Sequence, residues 1–236
     1  MADNRITRHR VRNHWTYSWW KYLLMVVCAV FGVNLLFTMT AYRAPEDKKI
    51  ELYLCSGWAD AELAEADIWP MIQEALPDQE ELVVMNIDLV GQEYYAIMQF
   101  TTYIAAQQGD ILLLPKSQMS KYAADGAWDM YADLTPYIED GTLDPRGIDL
   151  TNAMYPDSEG QKRAFGIPAD TLYGLADYGI DPADCVLSVT AFSGNELNCA
   201  KLLDVLIERY QIEKPDYYDE WHESRESSKA SSVLYP

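Results

Sequence analysis

After a polar opening, the chain runs from residue 22 to residue 41 without a charged side chain. At 1.5 Å of rise per residue such a helix reaches about 30 Å, the thickness of a hydrocarbon core. Aromatic residues mark both ends, with Trp15, Tyr17, Trp19 and Trp20 before the segment and Tyr42 after it. That placement matches the interfacial belts of membrane spans. A short polar linker with Pro45 (RAPEDKK) follows, and the pattern then changes to short apolar runs alternating with helical periods.

Residues 50–54, 82–87 and 111–114 are apolar runs of strand length, and 172–178 and 186–192 read the same way. Between them, helical spacing covers 61–76, 93–108, 117–124, 134–138 and 195–210, the last being the clearest amphipathic helix. Asp60 is placed to cap the first of these helices, and Pro70 predicts a kink or break within it. The stretch 141–166, rich in Gly, Pro, Asp and Asn, reads as loop, and the charged, Ser-rich 213–236 as a surface tail. Strands alternating with helices predict an α/β domain built on a mostly parallel sheet of about five strands.

Charge divides the chain in the same place. Residues 1–21 hold Arg5, Arg8, Arg10, Arg12 and Lys21 against Asp3 alone, a formal +4, which leaves −23 on the rest of a chain whose total is −19. The positive-inside rule then puts the N-terminus in the cytoplasm and the acidic body outside. A cleaved signal peptide is the competing reading, but its apolar core is shorter and ends in small residues, whereas Tyr42 stands two before Ala44. Val27 before Cys28 does not suit a lipidation signal. The expected layout is a basic head (1–21), a transmembrane helix (22–41), a linker (42–49), the α/β domain (50–212) and the tail (213–236). An acidic surface of this strength excludes nucleic acid, which requires cations facing phosphates.

Candidate chemistry adds little. Three cysteines follow the span, Cys55, Cys185 and Cys199, so at most one internal disulfide forms, and no spacing resembles a zinc site. The acidic run Asp60, Glu62, Glu65 and Asp67 has no neighbouring histidine and suits a solvated helix face. Beyond His9 and His14 the only histidine is His222 in the tail, and there is neither a nucleophile elbow nor a glycine-rich phosphate loop. No enzymatic activity, metal or cofactor is expected.

Three stretches then resemble the extracellular solute-binding proteins that deliver sugars to ABC importers. They are 103–114 (YIAAQQGDILLL), 122–138 (YAADGAWDMYADLTPYI) and 157–168 (DSEGQKRAFGIP). In that family the Gly-Ile-Pro segment leads into a second lobe before the chain returns. Here a strand and helix resembling the return segment, carried by Ser193 and Asn195, follow within about 20 residues of Pro168. The resemblance implies one lobe over about 50–210, with the second reduced to a few residues at 179–184.

A lone lobe cannot close on a ligand as two hinged lobes do. Trp58, Trp128 and Tyr173 are the expected ligand- or partner-binding aromatics, because such faces stack on sugars or bury in another protein. In the span, Cys28 and Gly32 form a small-xxx-small pair, and Asn34 with Thr38 forms a polar stripe, both expected to contact another membrane helix. The leading expectation is an anchored accessory module contacting transporter subunits or another membrane complex. The alternative is an extracytoplasmic receptor for a sugar or peptide.

Overall fold

The computed structural model describes residues 8–40, 42–90, 94–124 and 126–233. The start of the basic head, Ala41 at the end of the apolar segment, Glu93 at the start of an expected helix, Asp125 and the last tail residues lie outside them. The N-terminal helix and the domain from Ala44 onward are separate compact units.

Helix α1 spans Arg8–Thr40 as one continuous 33-residue rod. Its segment His14–Thr40 is long and apolar enough to cross a membrane. Length and composition of this kind fit a membrane anchor or a signal sequence.

The domain begins with β1 (Lys49–Leu54), α2 (Ala61–Ala75), β2 (Glu81–Asn86), α3 (Tyr94–Ala105) and β3 (Ile111–Pro115). Three short helices follow, α4 (Lys116–Ala123), α5 (Ala127–Met130) and α6 (Thr135–Glu139). Next come β4 (Met154–Pro156), β5 (Lys162–Ala164), β6 (Ile167–Pro168) and β7 (Cys185–Val189). The helices α7 (Glu196–Tyr210) and α8 (Tyr218–Val233) end the described chain.

The main sheet has five strands in the order β2-β1-β3-β7-β6. β1 pairs in parallel with β2 and β3, while β7 runs antiparallel to both β3 and β6. Four strands therefore share one direction and β7 opposes them, giving a mixed α/β fold. The central strands β3 and β7 are covered on both faces and are buried almost throughout, whereas β1 and the edge strand β2 keep half-buried positions in alternation. Ile50, Leu52 and Leu54 pack with Ala64, Ile68 and Ile72 of α2 and Leu202, Leu203 and Leu206 of α7. Tyr53, Leu112 and Leu114 pack on the other face with Phe100, Met119 and Met130.

Several expectations need correction. Residues 172–178 do not form a strand, because Tyr173–Tyr178 is a 3-10 helix. Its Gly174, Leu175, Ala176 and Tyr178 are all buried, so no strand alternation exists. Gly174 also lies so close to α7 that a Cβ there would stand 2.9 Å from the Tyr210 ring. The fifth strand is β6 instead, two residues long and too short to register as a run. The strand expected at 186–192 stops at Val189, because the chain turns at once, with the Ser193 N–H donating to the Thr190 carbonyl at 3.3 Å.

The expected loop 141–166 holds the antiparallel pair β4–β5. Pro70 does not break α2. It faces solvent, as does Ala66, whose carbonyl the missing N–H leaves open to water. Within the tail, α8 is helical and buries Tyr218, while most of its described side chains stay exposed at the surface.

Candidate functional site

In open α/β sheets, ligands bind outside the carboxyl ends of the parallel strands. Here β1 ends at Leu54, and residues 55–60 turn over that edge into α2. The turn is held from both sides: the Asp60 carboxylate accepts the Leu63 N–H at 3.0 Å, capping α2, and the Asp60 N–H donates to the Tyr178 carbonyl at 2.9 Å. Trp58 projects from this turn with 64% of its surface exposed. Its ring lies against Gly179, where a Cβ would come within 3.0 Å of the indole. Gly179 has φ +77°, a left-handed conformation that ends the 3-10 helix and that an L side chain would strain.

Asp181 stands beside this contact with only 6% of its surface exposed. A buried carboxylate is costly unless hydrogen-bonded, and the partners come from α8. The Tyr218 hydroxyl donates to Oδ1 at 2.8 Å, and His222 Nδ1 lies 2.7 Å from Oδ2. The Ala183 N–H adds a longer bond of 3.3 Å to Oδ1. Burial, and then the bond to the Asp181 carboxylate, push the Tyr218 phenol well above the usual tyrosine range.

Tyr173 meets Tyr218 edge to face at 4.9 Å. The Arg225 guanidinium reaches the Gly179 and Trp58 carbonyls and lies 4.9 Å from the Trp221 ring. At the end of β3, Lys116 binds both oxygens of Asp170 at 2.6 and 2.9 Å. The Ser56 hydroxyl on the same edge is buried without a hydrogen-bond partner among the described residues.

Trp58 and Tyr173 thus come to one edge, joined through α8. Trp128, 40% exposed, stands apart on α5 against Gly126. Asp181, Tyr218, His222 and Arg225 were missed as a group in the sequence. The signal available was the i, i+4, i+7 spacing of Tyr218, His222 and Arg225, which a charged, Ser-rich composition hides.

On α1, Cys28 is exposed and the Thr38 hydroxyl donates to the Asn34 carbonyl at 2.9 Å, so this part of the polar stripe is satisfied by the helix itself.

A second polar cluster lies at the opposite edge of the sheet. Glu51 accepts from Lys49 at 2.7 Å, from the Tyr53 hydroxyl at 2.9 Å and from the Gly109 N–H at 2.9 Å. Asp110 accepts the Ser193 hydroxyl at 2.5 Å and the Glu51 N–H at 2.7 Å. Burial raises Asp110 above the usual aspartate range, the Ser193 hydroxyl and Glu51 N–H opposing it. Burial also acts to raise Glu51, but Lys49, Tyr53 and Gly109 together hold its carboxyl below the usual range. With its acceptors filled from within, this cluster fastens β1 to the loops flanking β3 and α7.

None of the four cysteines is in a disulfide among the described residues. Burial pushes the Cys55 and Cys199 thiols up, away from the reactive thiolate form. Among the described residues, no group of three or more His, Cys, Asp or Glu is arranged to hold a metal ion.

No protein-family model matches the chain, and no curated protein matches it in sequence. Solved structures are similar to parts of it. A maltose-bound MalE3 of T. maritima aligns with 51% of this chain and 28% of its own, at 18% identity and a TM-score of 0.35. A probable secreted solute-binding lipoprotein from Streptomyces coelicolor aligns with 54% and 30%, at 17% identity and the same TM-score. The aligned part is less than a third of either protein.

Proposed function

We propose that this protein is a membrane-anchored, extracytoplasmic interaction module of solute-binding-protein type, working by contact with transporter subunits or another membrane complex rather than by catalysis. The observation that carries this reading is Trp58, a largely exposed indole at the edge of the sheet where α/β folds take their ligands. An aromatic on an open, one-sided face gains most by burying in a second protein, for which about 800 Å² per partner makes a stable contact. Confinement of both proteins to one membrane raises their effective concentration and strengthens a modest contact.

Two outcomes follow. Protein extracted from membranes retains the apolar helix, so N-terminal sequencing reads into residues before 22; a start near Pro45 would leave the domain without its anchor. Trp58→Ala lowers recovery of a co-purifying membrane partner in mild detergent at least tenfold, in line with loss of an interface hot spot of about 1.4 kcal/mol or more. Trp128→Ala is expected to weaken recovery as well, and both variants keep the wild-type circular dichroism spectrum.

The receptor reading is favoured by one feature, the unpartnered Ser56 hydroxyl buried at the same edge. Buried polar groups are ordinarily satisfied, so a sugar or peptide group bonded there would explain it. Calorimetry finding a tight sugar or peptide ligand would select that reading.

A further inference from the structure

The geometry points to α8 as a displaceable occupant of the Trp58–Asp181 edge, a built-in stand-in for a basic, tyrosine-bearing helix of a partner protein. This rests on reading that edge as the docking face. Tyr218, His222 and Arg225 fall at i, i+4 and i+7, one stripe of a single helix. Along this stripe they meet Asp181, the Gly179 and Trp58 carbonyls and the Tyr173 ring. A carboxylate, two outward carbonyls and an exposed aromatic edge together make a receptor for hydroxyl, imidazolium and guanidinium donors.

Few of the described side chains of α8 are buried. Of its side chains through Arg225 only Tyr218 is fully buried, with Trp221, His222 and Arg225 half-buried and the others exposed. The helix carries serines at 224, 227, 228, 231 and 232, residues of modest helix propensity. Even alanine-rich isolated helices shorter than about 12–15 residues are marginal in water, and this serine-rich helix of 16 residues is little longer, so it depends on its docking.

Its charge is also poorly matched to the site. α8 brings Asp219, Glu220, Glu223 and Glu226 against Arg225 and Lys229, onto a body that already carries the chain's negative charge. Asp177 adds to the acidity of the edge, accepting the Tyr217 hydroxyl at 3.3 Å. A helix with the same stripe and basic residues elsewhere would therefore bind more tightly than α8 itself. Displacing α8 uncovers Asp181 and Tyr173 together.

The test uses the full chain in detergent and two synthetic peptides. One has the sequence of residues 214–233, and the other is identical except for lysine at the positions of Glu220, Glu223 and Glu226. The basic peptide should bind at least tenfold more tightly than the native one. Weakening α8 with Tyr218→Ala should improve binding of both peptides, and adding Asp181→Asn on that Tyr218→Ala background, where α8 no longer competes, should reduce it at least tenfold. Equal affinity of the two peptides, or binding to the Tyr218→Ala chain indifferent to Asp181→Asn, would overturn the proposal.

Hydrogen exchange on the wild-type chain gives a second reading that needs no variant. Amides of α8 should exchange at least tenfold faster than those of α7, whereas exchange of α8 only together with α7 would make it a permanent part of the domain. A dimer formed by exchange of α8, in place of peptide binding, would assign the site to a second copy and overturn the partner class. Failure to recover a membrane partner leaves peptide competition unchanged, so this proposal and the docking reading fail separately.

Discussion

Gly166→Ala is expected to destabilise the domain by about 3 kcal/mol, the upper part of the range for overpacking a filled core. Gly166 leads into β6, and a Cβ on it would stand 2.6 Å from Val186 Cγ1, 2.7 Å from the Ser188 hydroxyl and 2.8 Å from the Leu187 carbonyl oxygen. The first two atoms belong to buried side chains of β7. The third is backbone, fixed where β7 pairs through Leu187 with Ile167 and Leu113. No rotamer change relieves contact with a carbonyl, so β6 must move away from β7 or the sheet must bend. For a domain near 190 residues, the loss corresponds to a fall in Tm of roughly 6–12 °C. Thermal unfolding followed by circular dichroism measures it. A fall under 2 °C would mean that the sheet edge yields freely and that β6 is not a fixed member of the core.

That substitution shows where the sequence is legible and where it is not. Gly166-Ile167-Pro168 stands out by its likeness to a family segment, yet two apolar residues carry no period, so their place in the sheet is invisible locally. Of the strands that are plain from sequence, β3 is buried along nearly its whole length and apolar, whereas β1 and β2 show the alternation of buried and half-buried positions, with Glu51 on the half-buried side of β1. The run 172–178 has the same apolar content but folds as a 3-10 helix, because Gly174 allows close approach to Tyr210, a contact distant in sequence. At the candidate site, Trp58 is visible as a large aromatic after an apolar run. Asp181 is not, since its importance comes from burial and from partners about 40 residues away.

Glu51 gives the other large effect. Glu51→Ala is expected to cost about 3 kcal/mol at neutral pH, because it removes the acceptor of the Tyr53 hydroxyl and the Gly109 N–H at once and leaves Lys49 only its longer pair with Glu46 at 3.3 Å. The pair lies near the low end of the range for buried ion pairs, as 18% of the Lys49 and 15% of the Glu51 side chain remain exposed.

Glu51→Gln separates charge from shape, since the amide oxygen still accepts hydrogen bonds while the charge is gone. The folded protein holds the Glu51 carboxyl below its ordinary value of 4.5, so folding favours the ionised form. Its contribution is complete above pH 4.5 and is lost as pH falls through the lower folded value. Asp110 runs the other way: burial raises it above 3.8, so its contribution is complete below that value and is lost as pH rises through the folded one. Of this pair, Glu51 is thus the group that makes the domain less stable in acid. Urea unfolding at pH 7 and at pH 3 should show the wild type losing more stability on acidification than Glu51→Gln, with the two curves converging at low pH. Parallel losses in the two proteins would place the acid sensitivity at other carboxylates and leave Glu51 as a hydrogen-bond acceptor alone.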